Sequence, residues 1–305
     1  MSLLFINEFL NFRKYQISSR MFVDNDRGED KLKVNIDIDF YNLPCELLAI
    51  DTVNNLGAHL QSIDGKLTKT RLDKSAKPLS SQPYSLHSLG TYGHNHEHYA
   101  QPDYQKVKQQ IKDQEGCKIQ GYFYVDAVPG SFYISSELFG ATVEQLRKEN
   151  LANFNVNHKI NELSFGENKD YRKILFSFGH KLYTLTHTIN KMTKKQEKVQ
   201  KNFLYYLKIV PTKFISFTKT NINGFHYTYN SNTDSTSNNI PFVYFKYDLS
   251  PITVEYKHSK MTFLTFFINI CAILGGVFTV AGIIDAIVHK SVLMLLRKAE
   301  MNKLA

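Results

Sequence analysis

From Met261 to Ile284 the chain runs for 24 residues without a charge, MTFLTFFINICAILGGVFTVAGII. A helix of that length spans roughly 36 Å at 1.5 Å per residue, more than the ~30 Å of hydrocarbon in a bilayer. Core helices of soluble proteins usually hold only about 10–14 apolar residues in a row, so the segment reads as a transmembrane helix. Asp285 ends the run and is expected at the membrane interface. Positive charge after it (Lys290, Arg297, Lys298, Lys303) slightly exceeds that before it (Lys246, Lys257, Lys260), which leans towards a cytosolic C-terminus. Within the span, Ala272 and Gly276 form a small-xxx-small pair, as do Gly282 and Ala286. Gly275 extends the smooth face and Asn269 adds a hydrogen-bonding group. These residues are expected to pack against another helix, because small side chains let backbones approach and a polar group in lipid seeks a partner.

The rest of the chain is patterned differently. In KLKVNIDIDF (31–40), Leu32, Val34, Ile36, Ile38 and Phe40 alternate with Lys33, Asn35, Asp37 and Asp39, which predicts a half-buried strand with one solvated side. Further strands are expected at 45–51, 117–128, 131–135, 203–210, 212–217, 224–230 and 241–249, all rich in Tyr, Phe, Ile and Val. Soluble helices are expected only at about 103–115 and 137–150. Residues 74–102, 186–201 and 230–239 are small and polar or lysine-rich and read as loops. Many short strands with few helices give a mainly β fold, a β-sandwich carrying a C-terminal transmembrane α-helix.

Charge and motifs narrow the function. The net charge is +9, yet the bases are scattered and accompany neither zinc-finger spacing nor stacking platforms, so nucleic acid is not expected as a partner. There is no Gly-x-Ser-x-Gly elbow, phosphate loop, dinucleotide fingerprint, Cys-x-x-Cys or His-Glu-x-x-His, so no catalytic residue, cofactor or metal is assigned. Of three cysteines, Cys271 lies in the apolar run. Cys45 and Cys117 suit either one disulfide in an oxidising compartment or two thiols in a reducing one. His94, His96 and His98 alternate beside His87 and Glu97. In an extended segment their imidazoles would share a side, as a solvated loop, a pH-responsive patch or, least of all, a metal site.

Several stretches, taken together, resemble the ER–Golgi intermediate compartment family of vesicle proteins. They are FVDNDRGEDKLKVNIDIDF (22–40), LPCELLAID (43–51), KTRLD (69–73), GCKIQGYFYVDAVPGSF (116–132), NHKINELSFG (157–166), YYLKIVPT (205–212), FKYDLSPITVEY (245–256) and CAILGGVFTVAGIID (271–285). The resemblance implies a lumenal β-sandwich between two transmembrane helices, with short cytosolic ends that engage vesicle coats. It implies a cargo-receptor subunit cycling between ER and Golgi, hetero-oligomeric with a related subunit and binding lumenal cargo; a tethering subunit and a lumenal enzyme are the alternatives. On that pattern residues 1–12 are the stub of a first transmembrane helix. Residues 20–258 are then the lumenal domain, 261–288 the span and 289–305 the cytosolic tail. A lumenal domain also implies that Cys45 and Cys117 pair. Two departures stand out: the cysteine-rich insert of the longer branch is absent, and Tyr133 stands where the family often has His.

Overall fold

The computed structural model describes residues 2–23, 31–54, 57, 64–84, 102–151, 155–167, 192–194, 201–215, 221–235 and 240–304. They form two compact units. The larger comprises Arg20–Phe214 and Thr220–Glu255; the smaller comprises Met1–Ser19, Ile215–Lys219 and Tyr256–Ala305.

The strands in chain order are β1 (Tyr15–Val23), β2 (Lys31–Phe40), β3 (Ala49–Asn54), β4 (Gly65–Leu72), β5 (Pro78–Tyr84), β6 (Gly116–Asp126), β7 (Gly130–Ser135), β8 (His158–Phe165), β9 (Met192–Lys194), β10 (Lys201–Ile215), β11 (Asn221–Ser235), β12 (Phe242–Leu249) and β13 (Ile252–Lys260). They make two sheets. One is ordered β1-β13-β10-β12-β7-β3, with β11 paired to β10; the other is ordered β5-β4-β6-β2-β8-β9. Apolar residues from both inner faces meet in one cluster, so the expected sandwich is present. The alternation of β2 puts Leu32, Val34, Ile36, Ile38 and Phe40 into that core, each at most 3 % exposed.

At its centre, Phe245 of β12 stacks between Phe132 of β7 and Tyr205 of β10, at 4.7 and 4.9 Å. His158 of β8, in the facing sheet, completes a polar link through this apolar layer. Its Nδ1 lies 2.8 Å from the Val156 carbonyl, which can only accept. Nδ1 therefore carries the proton, and Nε2 accepts from the Tyr205 hydroxyl at 2.7 Å. Burial raises the Tyr205 pKa and keeps that hydroxyl a donor.

Several expectations are corrected. The polar side of β2 is only partly open to water: Asn35 is 3 % exposed, while Lys33, Asp37 and Asp39 are partly buried. The register slips between Asp37 and Ile38, which leaves Asn161 of β8 as the extra residue of a bulge. Asn161 Nδ2 then donates to Asp37 Oδ1 at 3.0 Å and to Asp39 Oδ2 at 2.8 Å. The segment 45–51 is not all strand. Cys45–Leu47 is a 3-10 turn that Pro44 opens, and pairing begins only at Ala49. The strands expected at 203–210 and 212–217 are one, β10, and the loop expected from residue 230 is strand as far as Ser235. Part of the 74–102 excursion is the edge strand β5.

The helices are α1 (Ser2–Arg13), α2 (Tyr104–Lys112), α3 (Gly140–Lys148) and α4 (Phe263–Leu304). Asp103 caps α2 by accepting from the Gln105 N–H at 3.0 Å, and Val107 anchors it in the core. The apolar run is helical from Phe263 onward, and α4 continues past its end, 42 residues in all, about 63 Å.

Candidate functional site

Two places in the fold combine unusual chemistry with the residues singled out above. In the first, Cys45 and Cys117, 72 positions apart in sequence, form a disulfide with their α-carbons 4.8 Å apart. Cys117 is fully buried on β6, opposite Phe40 of β2 and Arg71 of β4. Beside the disulfide, Lys69 of β4 turns its ammonium inward. It donates to the carbonyls of Cys45 at 3.1 Å and Leu48 at 2.5 Å, holding the 3-10 turn that carries Cys45. Burial lowers the Lys69 pKa to about 7, against a smaller opposing pull from Glu46. Arg71 grips Glu115 through two bonds, Nε to Oε2 at 2.8 Å and Nη2 to Oε1 at 2.5 Å. Glu115 is only 6 % exposed, and its carboxylate raises the Arg71 pKa. Lys106 of α2 pairs with Glu46 of the turn.

A cavity of about 300 Å³ adjoins this corner, lined by Asn42, Pro44, Ile111, Lys112, Gln114, Glu115 and Leu151. Its carboxylate is already held by Arg71, and among the described residues no nucleophile–base pair converges on it. The arrangement braces the sandwich. Tyr133, the departure noted on β7, donates its hydroxyl to Asp51 Oδ2 of β3 at 2.6 Å.

The second place is the smaller unit. Phe263–Leu296 is long and apolar enough to cross a membrane, and none of its most apolar eighteen residues is buried within the chain. Asn269 donates from Nδ2 to Glu8 Oε1 of α1 at 2.7 Å. Ala272, Gly275, Gly276 and Gly282 are exposed, and a methyl group built on any of the three glycines meets nothing within 4 Å. Among the described residues Asn269 thus has a partner, Glu8, and the small-residue positions are uncovered. His94, His96 and His98, with His87 and Glu97, lie outside the described residues.

Sequence reasoning missed Lys69, Glu8 and the His158–Tyr205 link. Glu8 did leave a signal, as the lone acid in the apolar stretch SLLFINEFL. Lys69 left none, since nothing in β4's spacing shows that its amine turns inward.

The family model described as Endoplasmic reticulum vesicle transporter matches residues 89–285. A second, Endoplasmic Reticulum-Golgi Intermediate Compartment (ERGIC), matches residues 1–61. A probable endoplasmic reticulum-Golgi intermediate compartment protein 3 from Dictyostelium discoideum is 27 % identical, over 98 % of this chain and 89 % of its own. An endoplasmic reticulum-Golgi intermediate compartment protein 1 from Xenopus laevis is 26 % identical, over 93 % of this chain and 81 % of its own. Among solved structures, the crystal structure of Erv41p superposes with a TM-score of 0.50 at 18 % identity, covering 78 % of this chain and 99 % of that one. That likeness concerns the fold.

Proposed function

The chain belongs to the endoplasmic reticulum vesicle transporter family, and from that premise we propose that it is a membrane subunit of a cargo receptor moving between ER and Golgi. It is a membrane protein of a family that works in early secretory transport. Its relatives support placing it in the membranes of the ER, the intermediate compartment and the Golgi. The observation that carries the finer reading is the buried Cys45–Cys117 disulfide. Disulfides persist in oxidising compartments, which supports a lumenal sandwich and, across one span, a cytosolic C-terminus for coat contact. In this reading the domain recognises lumenal proteins by surface contact without catalysing a reaction, and the open small-residue face of α4 receives a helix of a related subunit.

Recognition on this route has to change between a near-neutral compartment and a more acidic one, and histidine's ordinary pKa of about 6.5 falls in that range. We assign the pH response to His94, His96 and His98. Replacing all three with Gln is expected to abolish a pH-dependent change in cargo or partner binding of about fivefold, which needs only ~1 kcal/mol of differential interaction. Binding is measured with the full chain at about pH 7 and about pH 6, on either side of that pKa. A pH dependence that survives the triple substitution removes these histidines from the mechanism. Failure to recover any lumenal protein or related subunit with the wild-type chain removes the receptor reading itself.

A further inference from the structure

Two helices stop at the edge of the cavity beside the disulfide, and both stop in the same way. After α2, Gln114 takes φ +54° and the Glu115 N–H returns to the Gln110 carbonyl at 2.9 Å. After α3, Asn150 takes φ +55° and the Leu151 N–H returns to the Leu146 carbonyl at 2.8 Å. Both are Schellman closures, whose left-handed position favours glycine and, after it, asparagine. Asparagine fills that position after α3. After α2 it is filled by glutamine, which is not among the residues that adopt it readily, and this Gln114 lines the cavity. Backbone strain retained at one such position points to a use for its side chain.

The walls divide by chemistry. Pro44, Ile111 and Leu151 are apolar. Asn42, Lys112 and Gln114 bring polar side chains that make no hydrogen bond or salt bridge with any described residue. The volume of about 300 Å³ is at the small end of ligand pockets and would hold about ten waters at ~30 Å³ each. The site is also preset, which limits the freedom lost on binding. The disulfide and Lys69 fix the turn that follows Pro44, and Lys106 with Glu46 ties that turn to α2. The buried Glu115 in the wall opposes phosphate, and no aromatic ring among the described residues lines the cavity for a sugar to stack on. Side-chain amides both donate and accept, as peptide main chain does. On the receptor reading proposed for this chain, we infer that the cavity takes up a short extended stretch of a lumenal cargo protein. Asn42 and Gln114 pair with its main chain, the apolar wall holds an aliphatic side chain, and Lys112 meets a neighbouring carboxylate.

The test uses the full chain in detergent micelles, with the capped tetrapeptide acetyl-Ser-Leu-Glu-Ser-amide as probe and saturation-transfer NMR as readout. Gln114→Gly relieves the left-handed strain, so its melting temperature is expected to match or exceed that of the wild-type chain while transfer falls about threefold. Lys112→Gln is expected to lower transfer to this peptide about threefold and to leave transfer to acetyl-Ser-Leu-Gln-Ser-amide unchanged. Transfer from the wild-type chain no greater than from empty micelles, or undiminished in Gln114→Gly, overturns the assignment. Recovery of lumenal proteins is measured separately on the same variants. If Gln114→Gly recovers them as well as the wild-type chain does, the cavity is not the cargo site and the receptor reading stands. If the wild-type chain recovers none, the receptor reading falls with the cargo assignment, whatever the peptide does.

Discussion

Lys69 carries its ammonium to the carbonyls of Cys45 and Leu48, and burial there lowers its pKa from 10.5 to about 7. The unfolded chain restores the ordinary value, so between about pH 7 and pH 10.5 the unfolded state binds more protons. Stability must then rise with pH across that window, by up to ~1.4 kcal/mol per pH unit, and this dependence ends below pH ~7, where both states are protonated. Lys69→Met removes the titrating group. Between roughly pH 7.5 and 9, urea unfolding of the wild-type chain, disulfide intact, is expected to gain about 1–2 kcal/mol more than that of Lys69→Met. Equal gains would mean that the amine is not the titrating group. Spacing within KTRLD singles out no inward cation, because an amine's direction depends on which carbonyls the folded chain brings near it.

At the scale of elements, α4 and β2 were legible because each is written in one periodic signal: an uncharged run, and a strict alternation of apolar with polar residues. Strand β5 was not, since PLSSQPY has two prolines and no β-branched residue, a composition that an edge strand tolerates. Nor was the far end of β11, where NSNTDS has turn chemistry and is nevertheless strand. In α4 a side chain begun at Gly275, Gly276 or Gly282 would meet none of the described residues within 4 Å. Gly276→Leu is expected to leave membrane insertion intact, because Leu is apolar, and to weaken association with a related subunit by about 1 kcal/mol, roughly fivefold. Co-isolation in detergent checks this, and an undiminished yield would place the helix contact on another face.

Across the whole molecule, the disulfide and the His158–Tyr205 hydrogen bond hold the sandwich at two separate points. The bond between Cys45 and Cys117 closes a loop of 72 residues, for which chain entropy gives a stabilisation of about 4 kcal/mol. Replacing both cysteines with Ala should therefore lower the melting temperature by about 10 °C. A shift of only a degree or two would show that neighbouring contacts, Lys69 and the Arg71–Glu115 pair among them, already restrain the same loop. What the sequence determined by itself was local and periodic: a span from the uncharged run, strands from alternation, a β class from their number. Such signals act between neighbours along the chain, where propensity and burial pattern suffice. The rest depended on distance in space. That His158 takes its proton donor from Tyr205, that the bulged Asn161 binds two aspartates of β2, and that Glu8 meets Asn269 across 261 residues are all consequences of tertiary packing. Polar groups withdrawn from water must find partners, and only the folded arrangement decides which ones are within reach.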